Sequence, residues 1–309
     1  MVIEELRHKF SLKVLLKVSK LSKSTYEYYK SDKHLKALDK RQTKDNEILA
    51  IFRPIYIENK TRYGYRRMIL SIDTNTLNKL GVGRDRIRKV LSINNLKGVQ
   101  GRNHKYHSYK GDNGLDKMNL LLSKEYDEVK KKDTYIRHFT ASKPNEIWTT
   151  DVSEFRVGDK KLYLSPIMDL YDSSIISYDI SYSPNLEQVH RMLNKAFNKY
   201  TNLESLIFHS DQGWQYQHAH YINALNSRGI KQSFSRKGNC MDNSPMENFF
   251  GILKNEMYYG HEKEFNSIEE LKQAISDYID NYYNTKRINT KRKGLSPFEY
   301  RQKSLSLVL

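Results

Sequence analysis

The feature that most restricts the fold of this chain is a pair of short apolar runs that each end on an aspartate. Leu206-Ile207-Phe208 leads through His209-Ser210 to Asp211, with Gly213 as the turn residue behind it. Upstream, Trp148-Thr149-Thr150-Asp151 carries a second aspartate in another strand-like run. A carboxylate in a segment that reads as buried strand is costly unless it is paired, hydrogen-bonded or bound to metal. A third acid, Glu247, stands near the start of a helix, with 35 residues between it and Asp211. Three acids on separate elements suit a site in which two Mg2+ ions, about 4 Å apart, clamp the attacking and leaving oxygens of a phosphodiester.

Two of the acids also have a plain structural explanation. Asp211 is a good turn residue at a strand end. Ser244-Pro245-Met246-Glu247 reads as a capping box, with Ser244 as N-cap and the glutamate turned back on the backbone. Lys254, seven residues past Glu247, returns to the same helix face, where it would hold a substrate phosphate; Glu256 falls on the opposite face. Asp242, in the loop before the helix, and Glu256 are therefore set aside as site acids. His209 is expected to pack beneath the site, and Cys240 to be a small packing residue.

Charge adds a partner class. The 309 residues carry a formal net charge of +17. Residues 1–146 hold 33 Lys and Arg against 17 Asp and Glu, residues 147–285 hold 13 against 18, and residues 286–309 hold 7 against 1. An acidic centre between two basic arms fits a carboxylate metal site flanked by surfaces that grip phosphates. The one cysteine excludes an internal disulfide and a multi-cysteine zinc site, and suits a reducing cytosol. No run of about 18 apolar residues occurs, so no membrane span is expected.

Taken in order, residues 1–35 predict a helix-turn-helix-like pair broken at Leu21; an ordinary helical hairpin has the same pattern. Residues 36–98 predict a second helix-turn-helix unit with helices over Asp45–Tyr56, from Met68 to Leu77 and over Arg84–Ile93. Arg66, Arg67, Arg84, Arg86, Arg88 and Lys89 are its candidate DNA contacts. Residues 99–143 read as a basic linker with one helix from Lys117 to Lys132. Residues 144–285 predict strands over Ile147–Val157, Lys161–Leu170 and Ser174–Ser181, helix Asn185–Tyr200, strand Glu204–Phe208, helix Gln215–Ser227 and strand Ile230–Phe234. That order predicts an α/β, ribonuclease-H-like core, a five-stranded mixed sheet with flanking helices, with Asp151 in mid-strand and Asp211 at a strand end. Residues 286–309 read as a basic tail in which Lys286, Arg287 and Arg292 grip phosphate.

Asp151, Asp211 and Glu247, with Lys254 behind them, resemble the DDE triad of the transposase and retroviral-integrase superfamily. The phrases WTTD at 148–151, HSDQGWQY at 209–216, SRKGNCMDNSPMENFFGILKNE at 235–256 and YYNTKRINTKRKGLSPFEY at 282–300 resemble the OrfB transposases of the bacterial insertion-sequence-3 family. The YGYRR phrase at 63–67 resembles the helix-turn-helix ahead of that family's catalytic domain. The resemblance implies two Mg2+ or Mn2+ ions on the triad, cleavage at the ends of an insertion sequence, and transfer of the freed 3'-OH strand to DNA. It also implies terminal inverted repeats and target DNA as partners, a homo-oligomer that pairs two ends, an OrfA partner or an OrfA–OrfB fusion, and a cytoplasmic, nucleoid-associated place of work. Two competing readings are a non-catalytic helix-turn-helix DNA-binding protein that keeps the fold, and a structure-selective nuclease that cuts without joining.

Overall fold

The computed structural model describes residues 2–99, 118–129 and 131–306. The linker residues Gly101, Gly111, Gly114, Lys117 and Lys130 lie outside these. The chain divides into two compact units, Met1–Gly98 and Val99–Leu309.

The described part of the first unit is all helix: α1 (Val2–Leu6), α2 (Leu12–Ser19), α3 (Lys23–Lys30), α4 (Asp32–Glu58), α5 (Tyr65–Leu70), α6 (Thr74–Leu80) and α7 (Arg84–Ile93). The turn after α2 puts Lys20 in the left-handed region, and Ser22 then caps α3 by accepting from the Thr25 amide at 3.1 Å. Leu15 and Tyr26 are buried, whereas Val18 is 77% exposed, so the apolar face of α2 is narrower than its spacing implies. Helix α4 starts thirteen residues earlier than the expected Asp45 and crosses the boundary drawn at residue 35. Ser31 starts it by accepting from the His34 amide, and the charged stretch that follows is rich in helix formers that need no burial. Gly81, at φ 62°, closes α6 in the left-handed conformation that glycine adopts without strain. Helix α7 buries Ile87, Val90 and Leu91, as its spacing predicts.

The second unit begins with an antiparallel hairpin, β1 (Leu122–Asp127) and β2 (Lys132–Arg137), which replaces the helix expected there. Tyr126, Tyr135 and Ile136 favour strand, and tertiary bonds hold the pair: the Leu120 amide donates to Ser233 Oγ at 2.9 Å, and Arg137 Nε to Asp242 at 2.8 Å. The described residues of 118–143 are therefore built into the second unit rather than serving as a plain linker.

The remaining elements are β3 (Ile147–Thr150), β4 (Ser153–Val157), β5 (Lys160–Asp169), β6 (Ile175–Ser181), α8 (Leu186–Lys199), β7 (Ile207–Ser210), α9 (Trp214–Gln217), α10 (Ala219–Asn226), β8 (Lys231–Phe234), α11 (Ser244–Leu253), α12 (Ile268–Asp277) and α13 (Pro297–Ser306). The strand expected over 147–157 is interrupted at Asp151-Val152. Its register against β5 nevertheless runs straight through, with Thr150 opposite Ile167 and Ser153 opposite Leu164. Segments β3 and β4 are thus one interrupted strand, and the sheet reads β6, β5, β3/β4, β7, β8. β5 is antiparallel to both neighbours, while β3, β7 and β8 are parallel. A three-strand meander followed by parallel strands added through helices is the ribonuclease-H-like arrangement.

Two apolar cores cover the two faces of this sheet. Ile147, Met168 and Ile175 pack with Met246, Phe249 and Leu253 of α11 and Leu271 of α12. Their strand neighbours Trp148, Ile167 and Ile176 pack on the other face with Val189, Met192 and Leu193 of α8 and Leu225 of α10. Alternation along each strand sends successive residues to opposite cores, which requires both faces to be covered.

The C-terminal segment departs most from expectation. Arg287 is not a phosphate contact: it is buried in a bidentate pair with Glu256 (2.7 and 2.9 Å), which also accepts from Tyr278 Oη at 2.8 Å. Arg301 of α13 is buried likewise, donating to Asp169 at 2.9 Å, Asp172 at 2.8 Å and Asn145 at 2.6 Å. Arg292 is half-buried and donates to Ser173 Oγ at 2.7 Å, while Lys286 is exposed. Pattern alone cannot separate a basic arm from arginines that pin a helix, because both are Arg-rich and polar. Removing one member of a buried pair strands the other charge. Arg287→Met is therefore expected to cost about 3–5 kcal/mol in urea unfolding; an unchanged midpoint would return Arg287 to a surface role.

Candidate active site

The site is set by strand register. β3 and β7 are adjacent and parallel, with Trp148 beside Phe208 and Thr149 beside His209. Two residues on, the chain reaches Asp151 on one strand and Asp211 on the other, so both aspartates leave the C-terminal ends of neighbouring strands. That crevice is where open α/β sheets present groups to ligands. Asp151 is at the strand interruption rather than in mid-strand. The interruption takes its backbone out of the ladder, and Oδ1 accepts from the Val152 amide at 2.7 Å. Asp211 Oδ1 accepts from the Gly213 amide at 2.9 Å. A Cβ at Gly213 would stand 3.0 Å from that same oxygen, so the close turn favours glycine.

Asp151 retains some solvent access yet is packed deeply among protein atoms, and its pKa is raised to about 8. Burial is the main cause, the charge of Asp211 the next, and Glu247 adds to both; the Val152 amide and the Lys254 ammonium oppose them. Asp211 is raised as well, by burial, against the pull of the Gly213 amide. Lys254, the first residue after α11, is lowered by burial while Glu154 and Asp151 hold it up. Its ammonium lies 4.8 Å from the centre of the Phe155 ring. Asp151, Asp211, Glu247 and Lys254 thus share one electrostatic neighbourhood.

Glu247 enters from the first turn of α11, and it does not pair with Ser244 in a capping box. The capping box fails because Ser244 is already helical (φ −57°, ψ −28°), so it cannot serve as N-cap. Glu247 stands close enough to Cys240 to act on it: the thiol's pKa is raised by burial first and then by this acid. Among the described residues no three His, Cys, Asp or Glu are grouped closely enough to hold one ion. The paired aspartates and the nearby glutamate supply hard oxygen donors of the kind Mg2+ and Mn2+ take, and a dication would favour the ionised form of Asp151 that burial, and then the neighbouring acids, disfavour.

Two acids that sequence set aside prove structural. Asp242 is fully buried and accepts from Arg137 Nε (2.8 Å), Arg236 Nε (2.8 Å) and the Arg236 amide (3.1 Å). Burial alone would raise its pKa, but these bonds bring it to about 2. Glu256 is the partner of Arg287. The residue that sequence reading missed is Asn243, whose side chain ties the start of α11 to β3; only its place beside Asp242 in a polar pair ahead of the helix could have drawn notice.

In the first unit, Arg84, Arg88, Lys89 and Arg66 are exposed and Arg67 is half-buried. Arg86 is engaged by Asp45 of α4 in an ion pair. A cleft of about 550 Å3 along the outer edge of β6, lined by Lys195, Lys199 and Lys272, is separated from Asp151 by β5 and lies apart from the acids.

The fold and the acids at its strand ends define an integrase-core protein. Residues 141–240 and 247–305 match two family models, both described as integrase core domain. The chain is 42% identical over 305 residues to the InsK protein of insertion sequence element IS150 from Escherichia coli K12, covering 98% of each. It is 46% identical to a transposase-like protein of Haemophilus influenzae, over 72% of this chain and 99% of that one. It is 28% identical to the transposase InsF of insertion sequence IS3A from Escherichia coli K12, over 98% of both. The HTLV-2 integrase catalytic core superposes on 52% of this chain and 99% of its own, at 18% identity and a TM-score of 0.43. The chain belongs to the insertion-sequence-3 family of transposases.

His209 gives the site a pH-dependent foundation. It is buried on β7 with its ring nitrogens against Ser233 Oγ (2.8 Å) and Ser235 Oγ (3.0 Å), and burial lowers its pKa to about 4. A neutral histidine contributes stability that is present above about pH 6.5 and is lost as pH falls towards 4, on the order of 3 kcal/mol in all. His209→Gln should flatten that part of the stability curve relative to the parent protein, as measured by urea unfolding between pH 7 and 4.5.

Proposed function

We propose that this chain cuts DNA at the ends of an insertion sequence and joins the freed 3'-OH strand to target DNA, with Asp151, Asp211 and Glu247 as the metal-binding acids. The observation that carries this reading is the pair of aspartates at the ends of adjacent parallel strands, with Glu247 and Lys254 in the same electrostatic field, in a chain of the insertion-sequence-3 family.

Two divalent ions, Mg2+ or Mn2+, would supply activation of the attacking oxygen and neutralisation of the leaving one. Asp151 and Asp211 would hold them from the sheet. Asp151 would release its proton as they bind, because metal ligation requires the deprotonated acid. Glu247 would join the same ions from α11. Lys254, kept close by burial, would hold a non-bridging oxygen of the scissile phosphate. Cleavage and joining are both in-line displacements at phosphorus: water attacks first, then the 3'-OH it released, so no covalent bond to the protein is needed.

Arg84, Arg88, Lys89, Arg66 and Arg67 would grip the phosphates of the element's ends, and Lys286 and Arg292 would add contacts near the core. Arg86, paired with Asp45, would serve mainly to brace α7. Pairing two ends calls for at least two copies of the chain, with an OrfA product as partner or as a fused segment. Among the described residues no helix is long and apolar enough to cross a membrane; the proposed place of work is the bacterial cytoplasm, at the nucleoid.

Labelled duplex bearing an element end, incubated with Mg2+, tests this. The parent protein is expected to nick at the 3' end and to join that end to a second duplex. Asp151→Asn should abolish both steps, about 10^3-fold or more given the share carried by metal and oriented charge. Equal cleavage by the variant would sink the assignment, and cutting without joining would leave a nuclease.

A further inference from the structure

We propose that Asn243 is a positioning residue that sets the spacing between the aspartate pair and Glu247. This rests on the carboxylate site proposed above and names what holds its two halves together.

Asn243 lies at the N-cap of α11, four residues ahead of Glu247. An asparagine there ordinarily turns its side chain onto a free amide of the first turn, a bond worth about 1 kcal/mol. Here it makes no such cap bond. Its Oδ1 instead accepts from Thr149 Oγ1, and its Nδ2 donates to the Thr150 carbonyl at 3.1 Å. The carbonyl can only accept and so fixes which way the amide faces. All three residues are buried: Asn243 is 3% exposed, Thr149 1% and Thr150 0%.

The leverage of this clamp is positional. Thr150 is the last residue of β3, one peptide bond before Asp151, where the strand is interrupted and its backbone has lost ladder support. Asn243 is the last residue before the helix that carries Glu247. One side chain thus joins the two backbones that carry acids from opposite ends of the fold, across 93 residues of chain. Asp242 next to it is anchored to Arg137 and Arg236, so the loop has a second fixed point on the hairpin side. In a water-poor interior the clamp is stiff, because breaking it leaves a buried amide unsatisfied. Groups that orient metal ligands without touching the ion commonly change its affinity by about 10–100-fold when removed.

The test uses Mn2+ alone as the probe, titrated into the full chain and read by water-proton relaxation, with metal-free melting and metal-free DNA binding measured beside it. Asn243→Ala and Thr149→Val are each expected to weaken Mn2+ binding by about tenfold or more. Thr149→Ser, which keeps the hydroxyl, should stay near the parent. The double variant should be no weaker than the worse single one, since both remove one clamp. Metal-free DNA binding should be unchanged throughout. If Asn243→Ala does not fold, the Thr149→Val and Thr149→Ser pair decides alone. Lower melting with unchanged Mn2+ affinity per folded molecule, while Asp151→Asn abolishes binding, overturns the clamp and leaves the site reading intact. Parent-like Mn2+ binding by Asp151→Asn removes the site reading itself, and the clamp with it.

Discussion

The constraint on which the catalytic unit depends is the parallel register of β3 on β7. Sliding one strand by a residue would turn its side chains to the other face and separate Asp151 from Asp211. Register is held because each strand is buried on both faces: Ile147 and Trp148 of β3 enter different cores, and so do Ile207 and Phe208 of β7. The acids therefore sit at the end of a device whose cost of slipping is the loss of two apolar cores. That rigidity lets two carboxylates face each other at all. The raised proton affinity of Asp151 reflects its burial first and the charge of Asp211 second.

Around that fixed pair the structure sorts the remaining charges into those removed from solvent and those left near it. Asp242, Glu256, Asp169 and Asp172 are each buried against arginines, from β2, from the loop after β8, from the segment after α12, or from α13. These pairs tie the periphery to the core, which explains why a strongly basic C-terminal stretch has arginines facing inward. Among the described residues no arginine is paired with Asp151 or Asp211; the Val152 and Gly213 amides and Lys254 favour their charged forms. An acid satisfied by arginine is held in place, whereas an acid left to repel another is available to a cation.

Two copies of one phrase show how far local pattern reaches. Ser244-Pro245-Met246-Glu247 and Ser296-Pro297-Phe298-Glu299 both spell a capping box. The second forms one: the Ser296 amide donates to Glu299 at 2.7 Å and the Glu299 amide to Ser296 Oγ at 3.4 Å. The first does not, because the helix begins one residue earlier. Asn243, drawn to β3, takes the N-cap place and pulls Ser244 into the helix. Glu247 therefore does not close a capping box with Ser244, and a feature that argued against its role disappears for a reason no four-residue window contains.

Much of the rest was legible. The alternation and lengths of the apolar runs predicted the meander, α8 and the parallel strands, since burial on both faces writes itself into continuous hydrophobic segments. The turn signals at Gly81 and Leu21 located the breaks in the first unit, and the family phrases led to the three acids. What failed were polar segments. The stretch 122–137 carries charge in either conformation and became a hairpin only because Ser233 and Asp242 hold it. Arg287 and Arg301 look like any surface arginine until Glu256, Asp169 and Asp172 appear beside them. Sequence by itself determined the apolar strands and helices and where acids stand along the chain, because hydrophobic period and turn chemistry are local. Tertiary structure alone decided which charges are paired, where β3 is interrupted and what Asn243 grips, because those outcomes depend on partners about a hundred residues away.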